Sequence, residues 1–543
     1  MKRWLPLVSL ALGLVVAAWL YTTVPVGADP LHLEGEADPG GPNPFDEAAR
    51  LARATANEGK PPNVLIIVWD TVRADRMSTY GHFRDTTPNI ATWASERGLV
   101  FEQAHSPGIW TLPSHASMFT GLPPESTGAD ERWLWLDTPH VTMAEHFRDN
   151  GYNTFSLAAN TLLSTDTNLV QGFHVTMNTF KGKLAPLAKK LTTEKLLPGD
   201  VSQELSPEWV PPEHGATNAE WARAAYKEAA PMAGKVFLRW VDNRNRPDTP
   251  FFAFINLMEA HTPRVPSMAS RKRIMAADPD LIDLGLKTDA AHINLHFHNF
   301  GKHDYTEREL EAIRGVYDAA LLDLDLATGA LLGELRQRGL LDNTYVVLTS
   351  DHGENLGDHG LFNHRFTLAE SLTHVPLILS GPDIEADRIE APVSTMDIFP
   401  TLCDLAGLPV PEHLSGHLID DPRPAVTRME LPLRREIETV AEVYPDVEVE
   451  PWLKSGHALV DADLQKLVAW DGRDMLGYDL TVDPGENSPI PARQSQLRAL
   501  SAWRDQVPPY DPTLRTEADD PVHVRASQEE LKAQLEALGY IQE

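Results

Sequence analysis

The best indicator of the fold is the stretch Asn63–Asp70, which reads NVLIIVWD. Its first seven residues form a nearly continuous apolar run of strand length, which is typical of a strand covered on both faces in a parallel sheet. Similar runs occur at residues 251–257, 344–350 and 375–380, and a weaker one occurs at 154–159. The sequence therefore predicts a sheet with a buried, largely parallel centre.

Helical patterns lie between these runs. The clearest begins at a capping box formed by Thr306 and Glu309 and continues with apolar residues at helical spacing. Strands that alternate with helices predict an α/β fold with a doubly wound sheet flanked by helices. Residues 164–235 and 262–305 are proline-rich or irregular, and we expect them to be insertions over the edge of the sheet.

The character of the chain changes after Pro409. Short alternating segments at 456–460, 465–470 and 475–480 are separated by turn residues, which predicts a small antiparallel sheet. We therefore expect a main domain over residues 61–410, a C-terminal subdomain over 411–510, and a tail over 511–543. The tail contains one more predicted helix, which begins at Ser527.

The N-terminus has the pattern of an export signal. Lys2 and Arg3 precede an apolar run over residues 4–21, and Val26-Gly27-Ala28 offers tolerable cleavage-site residues. Residues 1–28 are thus predicted to be a signal peptide or, alternatively, an uncleaved N-terminal anchor that would associate the protein with a membrane. Residues 29–60 read as a flexible linker. Both alternatives place the protein outside the cytoplasm, in the periplasm or secreted.

The charge balance limits the kinds of partner. The chain has 47 lysines and arginines against 78 aspartates and glutamates, a formal charge of -31. Such a surface repels phosphate backbones, so nucleic acid is not expected to bind. An anionic substrate would need local positive charge or a metal ion. The single cysteine, Cys403, excludes an internal disulfide and is expected to be a small buried apolar residue.

Polar residues follow three of the predicted strands. Asp70 follows the first, Glu259 and His261 follow the 251–257 run, and Asp351 with His352 follow the 344–350 run. In an open α/β sheet ligands bind at the carboxyl ends of the strands. Carboxylate and imidazole groups suit Mn²⁺, Zn²⁺ or Ca²⁺. Taken singly, Asp70 is also compatible with an Asx turn, and Asp351 with His352 is compatible with a helix cap followed by a surface histidine. The recurrence of such residues at three strand ends favours a metal site.

A second candidate feature is the stretch 106–121, which reads SPGIWTLPSHASMFTG. Pro113 suits the first turn of a helix and Gly121 suits its C-terminal end. Thr111 would then lie at the helix N-terminus, where free backbone N–H groups attract an anion. Thr111 is accordingly a candidate nucleophile, although the stretch alone would favour a plain helix N-cap.

Taken together, these motifs resemble the sulfatase family of the alkaline phosphatase superfamily. The resemblance runs in family order from about residue 60 to 490 and covers these segments: 70–75, 80–81, 87–90, 113–117, 120–121, 261–263, 350–354, 356–360, 375–377, 397–409, 478–480 and 483–484. It implies an alkaline-phosphatase-like mixed sheet with a small C-terminal sheet. It also implies a metal-dependent hydrolase or transferase that acts on sulfate or phosphate esters.

The chain departs from the family pattern at four positions. Sulfatases have Cys or Ser in place of Thr111 and oxidise it to formylglycine. A secondary alcohol would give a ketone instead, so no formylglycine is expected here. His115 stands in place of an Arg of the family, His364 in place of a Lys, and Thr71 in place of the second metal-binding Asp.

Related phosphodiesterases and the lipid-headgroup and teichoic-acid transferases of this superfamily use Thr as the nucleophile. That resemblance implies a single divalent ion, whose identity among Ca²⁺, Mn²⁺ and Zn²⁺ stays open, held by Asp70, Thr111, Asp351 and His352. The catalytic residues it implies are Thr111, His115, His261, His359 and His364. The substrate-binding residues it implies are Arg73, His261 and His364.

The leading hypothesis is an exported hydrolase that cleaves sulfate or phosphate (di)esters through a Thr nucleophile. The alternatives are a phospho-headgroup transferase of the same superfamily and a catalytically silent protein that binds an anion or glycan. The expected substrate is a small-molecule, glycan or lipid-headgroup ester.

Overall fold

A computed structural model describes residues 60–180, 184 and 230–520, apart from 245, 291–292, 422, 433 and 474. The predicted signal or anchor segment 1–28, all but the last residue of the 29–60 linker, and the helix expected from Ser527 lie outside these residues. Within the described ranges, none of the helices has the length and apolar character of a membrane span.

The predicted apolar run forms the central strand of the main sheet. Nine strands of the described residues make up this sheet, in the order β10-β2-β9-β6-β1-β5-β3-β4, with β11 also paired to β2. Strand β1 pairs in parallel with both β5 and β6, β3 pairs in parallel with β5, and β9 runs antiparallel to β6 and β2. The bounds are β1 Asn63–Trp69, β2 Leu99–His105, β3 Asn153–Ala158, β4 Val175–Asn178, β5 Phe251–Leu257, β6 Thr344–Thr349, β9 His374–Ser380, β10 Asp387–Ile389 and β11 Val393–Ser394.

Helices cover both faces of β1. Val64, Ile66 and Val68 pack in one core with the helix that begins at Thr111, whereas Leu65 and Ile67 pack on the opposite face with the long helix that begins at Glu307. The helices are α1 Pro88–Arg97, α2 Thr111–Thr120, α3 Pro124–Thr127, α4 Met143–Asp149, α5 Ala230–Asp242, α6 Met268–Ile274, α7 Pro279–Ala290, α8 Ile293–Asn299, α9 Glu307–Gln337, α10 Glu370–Thr373, α11 Ile398–Leu405, α12 Arg434–Val443 and α13 Gln494–Gln506.

The C-terminal strands form a separate antiparallel sheet in the order β12-β13-β14-β15-β16. Their bounds are β12 Ala425–Met429, β13 Gly456–Val460, β14 Gln465–Trp470, β15 Met475–Asp479 and β16 Ile490–Pro491, and a short pair elsewhere joins β7 Asn355–Leu356 to β8 Phe362–Asn363. The predicted fold class is confirmed, since a mixed sheet flanked by helices is accompanied by a small antiparallel sheet. The boundaries at 410 and 510 stay predictions.

One expectation about the fold was wrong. The segment 262–305, expected to be irregular, contains the three helices α6, α7 and α8. Met275, Leu281 and Leu286 of this segment pack against Val316 and Leu322 of α9. The proline-rich or irregular pattern gave no sign of these helices, because the apolar face that stabilises them packs against α9.

Candidate active site

The parallel strands bring the polar residues to one edge of the sheet. Because β1, β3, β5 and β6 run in the same direction, their carboxyl ends lie side by side. The backbone N–H of Asp70 donates to Leu257 O at 2.9 Å, which fixes the end of β1 against the end of β5. The polar residues that this edge carries are Asp70 after β1, Asn160 after β3, Asn256 within β5, His261 after β5, and Asp351 and His352 after β6.

Helix α2 presents Thr111 to the same edge. The helix begins at Thr111 after Trp110, its N-cap, and ends at Gly121, whose φ of 64° is left-handed. Since Trp110 is the N-cap and Thr111 is already the first residue of the helix, Thr111 is not the N-cap. Every residue of the helix is buried, which holds its first turn rigidly against the sheet.

Three side chains converge on one point. Asp70, Asp351 and His352 each offer a ligand atom, and these atoms lie within 4.8 Å of one another. All three residues are completely buried. Asp70 Oδ1, Asp351 Oδ2 and His352 Nε2 have no hydrogen-bond partner. Unpartnered buried polar atoms are rare and energetically unfavourable. Two carboxylate oxygens and an imidazole nitrogen therefore fit a divalent metal ion.

The other polar atom of each group is fixed by hydrogen bonds. Asn160 and Asn256 donate to Asp70 Oδ2 at 2.9 and 3.2 Å. The backbone N–H groups of Thr71 and His352 donate to Asp351 Oδ1 at 3.3 and 3.0 Å. His352 Nδ1 lies 2.9 Å from Gly353 O, which requires a proton on Nδ1 and leaves the Nε2 lone pair open. Each group thus has one atom held in place and one atom available to a ligand.

Burial sets the protonation of this cluster in the absence of a cation. Burial, with the nearby Asp351 carboxylate, raises the pKa of Asp70 from 3.8 to about 7. Burial also raises the pKa of Asp351, and it lowers the pKa of His352 to about 4. The uncharged forms are favoured because desolvation penalises charge. A bound cation would reverse this preference for the two carboxyl groups.

One amide connects Thr111 to the cluster. Asn160 Nδ2 donates to Thr111 Oγ1 at 3.1 Å as well as to Asp70 Oδ2. The Thr111 oxygen accepts this bond, so its own proton is free to leave in another direction. A donor aimed at Oγ1 stabilises negative charge that develops on the oxygen.

His115 lies one turn along α2 from Thr111. Its Nδ1 is 2.9 Å from Thr111 O and 3.5 Å from Asp351 Oδ2, and its Nε2 has no hydrogen-bond partner. The ring is completely buried and packs edge-on against Phe119 and Phe254. Burial lowers its pKa. The structure therefore places a neutral imidazole where the family pattern has an Arg.

Two further histidines border the cluster. The His364 ring lies 4.5 Å from the His352 ring and 5.3 Å from the His261 ring, between centroids. Glu354 orients His364, since its Oε1 is 3.3 Å from His364 Nδ1 and its Oε2 accepts from Arg264 at 3.0 Å. Although burial opposes it, the His364 hydrogen bond and the Arg264 charge lower the pKa of Glu354.

The contacts of Arg73 and the exposure of His359 bear on the roles expected for them, which stay predictions. The Arg73 guanidinium binds Asp75 at 2.8 Å and Asp358 at 2.6 Å, and these ion pairs support the turn after β1. His359 is exposed in a left-handed conformation with φ 52°. Neither residue makes a described contact with the three ligand residues.

Asn160, Asn256 and Glu354 were missed as functional residues. Asn256 gave a usable signal, because it is a polar residue within the apolar strand β5. Asn160 directly follows the 154–159 run and Glu354 lies within a matched family motif. Their partners are distant in the sequence, so no local pattern assigns them.

The comparison with known families is decisive at this point: residues 62–408 match the sulfatase family. The chain belongs to the sulfatase family. It is an ester hydrolase with the alkaline-phosphatase-like fold of that family, as the sequence motifs predicted.

One relative is similar to the chain in sequence, and two solved structures are similar to it in fold. Bovine arylsulfatase K (Bos taurus) is 25% identical over 461 residues, which cover 80% of this chain and 78% of the relative. Among solved structures, the phosphonate monoester hydrolase of Agrobacterium radiobacter superposes with a TM-score of 0.61 at 21% identity, covering 82% of this chain and 96% of that one. A protein solved with its substrate D-glucosamine-2-N,6-O-disulfate superposes with a TM-score of 0.58 at 18% identity, covering 87% and 99%.

The three converging side chains predict how metal content responds to substitution. Asp70→Ala, Asp351→Ala and His352→Ala should each lower bound divalent metal at least about tenfold, because each removes an atom with no other partner. Elemental analysis of purified protein would measure this. His359→Ala is the matched control, since it removes an exposed histidine of the same loop and should keep full metal content. Full occupancy in all three alanine variants would contradict the site.

The raised pKa of Asp70 predicts that the stabilisation of the folded protein by a bound metal ion depends on pH. Since its pKa rises from 3.8 to about 7 on folding, the stability that Asp70 contributes to the metal-free protein is present below pH 3.8 and is lost as pH rises through 7. A cation binds the ionised form. The increase in Tm on adding Mn²⁺ to chelator-treated protein should therefore be larger at pH 8 than at pH 6, where protons compete about tenfold more strongly. An equal increase at both pH values would contradict this assignment.

Proposed function

We propose that the protein is an exported, metal-dependent hydrolase that cleaves a sulfate or phosphate (di)ester with Thr111 as the nucleophile. The observation that supports this most directly is the Asn160 amide, which bonds both Thr111 Oγ1 and Asp70 Oδ2. It holds a hydroxyl beside three unpartnered ligand atoms at the N-terminus of a buried helix. The N-terminal turn adds backbone N–H groups that favour an anionic ester.

Asp70, Asp351 and His352 would hold the ion, with Thr111 as a fourth ligand. A divalent cation such as Ca²⁺, Mn²⁺ or Zn²⁺ would, when bound, lower the pKa of the Thr111 hydroxyl and offset the charge on the ester oxygens. The geometry of the three ligand atoms supports this set, and the same residues were assigned from the sequence.

The reaction has two steps. Thr111 Oγ forms a bond to the sulfur or phosphorus atom, and the bond from that atom to the alcohol oxygen breaks. The Thr111 proton passes to a neighbouring imidazole, His115 being the one on the same helix. His261 or His364 gives a proton to the departing alcohol. Water then attacks the sulfur or phosphorus atom of the adduct, and the bond from that atom to Thr111 Oγ breaks. The imidazole that took the Thr111 proton returns it to Thr111 Oγ, and a proton of the water restores His261 or His364. The product is sulfate from a sulfate ester, phosphate or a phosphate monoester from a phosphate ester, and a phosphonate from a phosphonate ester.

Thr111 is proposed to act unmodified. Oxidation of its secondary alcohol gives a ketone and not the formylglycine aldehyde. A hydroxyl oriented by an amide and a cation needs no such modification to attack phosphorus. We therefore favour phosphodiester or phosphonate cleavage over sulfate ester cleavage.

The proposed substrate is a small-molecule or glycan ester. One structural neighbour was solved with a sulfated glucosamine and another is named as a phosphonate monoester hydrolase, which supports both chemistries. A lipid-headgroup ester and transfer to an acceptor alcohol stay alternatives. A silent binding protein is disfavoured, because such a protein has no need of three unpartnered ligand atoms.

The export proposal predicts the mature N-terminus. Cleavage after Ala28 would follow from the charged start, the apolar run and the small residues before the cut. Terminal sequencing of the protein from the extracytoplasmic fraction should begin at Asp29. A membrane-bound chain that begins at Met1 would contradict cleavage and would support an uncleaved N-terminal anchor.

The nucleophile is tested by substitution at Thr111. Thr111→Ala removes the attacking oxygen but keeps Asp70, Asp351 and His352, so activity should fall by about three orders of magnitude or more while much of the metal is retained. Thr111→Ser keeps a hydroxyl and should keep measurable activity. Mass spectrometry of the Thr111 peptide, quenched in acid during turnover, should show a phosphoryl or sulfuryl adduct. An Ala variant as active as the parent would show that water, not Thr111, attacks the ester.

A further inference from the structure

A cleft opens next to the candidate active site. Its walls share Trp110, which directly precedes Thr111, and His364, which borders the ligand cluster. The group of a substrate bonded to the ester would therefore extend into it. The polar and aromatic walls of this cleft are Trp110, Glu131, His364, Arg365, Phe366 and Glu430.

Glu430 is the least satisfied of these groups. Its Oε2 accepts one hydrogen bond from Trp110 Nε1 at 3.3 Å, and its Oε1 is buried without a partner. Apolar side chains of Ile109, Met429 and Phe366 form the adjacent walls. Such walls keep water from Oε1. A ligand that donates a hydrogen bond to this oxygen would therefore remove the free-energy cost of leaving it buried and unpaired.

The surrounding charges favour a cationic donor. Two neighbouring carboxylates have arginine partners: Asp130 pairs with Arg132 at 3.7 Å and Glu131 with Arg365 at 3.4 Å. Glu430 makes no ion pair with a cationic side chain among the residues that the structure describes. Burial, together with the charges of Glu131 and Asp130, raises the pKa of Glu430 to about 8. A positive group beside Glu430 would favour its ionised form and make an ion pair with it.

We propose that Glu430 in this cleft pairs with a protonated amine carried by the alcohol portion of the substrate. The preferred substrates are then sulfate or phosphate esters of amino alcohols, whether the amine belongs to an amino sugar or to a small amino alcohol. The inference rests on the proposed function, because the ester group is placed at Thr111. It adds a residue that selects the leaving group.

The test compares matched esters on the metal-loaded enzyme. The kcat/KM for the ethanolamine ester is compared with that for the ethylene glycol ester, and the glucosamine ester with the glucose ester. The wild type should prefer the amine in at least one pair by about ten- to a hundredfold, and Glu430→Gln should reduce that preference to about one. The pair that shows the effect identifies a small amino alcohol or an amino sugar.

Two controls distinguish loss of the Glu430 charge from a general loss of enzyme activity. Glu430→Gln keeps the shape and the acceptor for Trp110, and its activity on a 4-nitrophenyl ester should change far less than its amine preference. Glu131→Gln removes a carboxylate that Arg365 already pairs with, so most of the amine preference should remain. Equal rates for amine and neutral esters in the wild type, or an amine preference that survives Glu430→Gln, would overturn the inference.

A binding measurement distinguishes this inference from the proposed function. Calorimetry with free ethanolamine and glucosamine on Thr111→Ala protein does not depend on turnover. Amine binding that Glu430→Gln abolishes supports the cleft assignment even if no ester is hydrolysed, in which case the proposed function fails alone. Hydrolysis of the 4-nitrophenyl ester without any amine binding or preference leaves the proposed function and overturns the cleft assignment.

Discussion

Two buried carboxylates, Asp70 and Asp351, impose the constraint on which the site depends. Neither has any exposed surface, and their ligand atoms lie within 4.8 Å together with that of His352. Two such groups cannot both be ionised without a counter-charge, because burial and mutual repulsion both oppose it. A divalent ion is the simplest counter-charge, and the three atoms left without partners are the ones that would contact it.

The groups around these carboxylates hold them without adding fixed positive charge. Amides from Asn160 and Asn256 bind Asp70, and backbone N–H groups bind Asp351. Such neutral donors orient the oxygens but leave most of their charge for a cation. The family's Arg and Lys are replaced by histidines, so the bound ion would carry most of the positive charge that an anionic ester meets.

Packing of the fold makes this geometry rigid. Helix α2 is buried along its length and α9 covers the opposite face of β1, so the ends of the strands and the start of α2 have little freedom to move. Such packing favours a preorganised arrangement of the polar groups at this edge. The neighbouring cleft at Glu430 lies between this rigid edge and the C-terminal sheet, since Met429 of β12 forms part of its wall.

The sequence by itself determined where polar residues follow buried strands. A buried run such as residues 63–69 followed by Asp70 predicts both a central strand and a ligand residue at its end. Apolar periodicity and capping boxes are local signals, so the central strands and α9 could be predicted from the sequence alone. The partners of charged and amide side chains were decided only by the tertiary structure. Arg73 pairs with Asp358 from 285 positions away, and Asn160 reaches Asp70 from 90 positions away. A local sequence pattern cannot assign partners that lie so far apart in the sequence, because a side chain's partner depends on which strands become neighbours in the sheet.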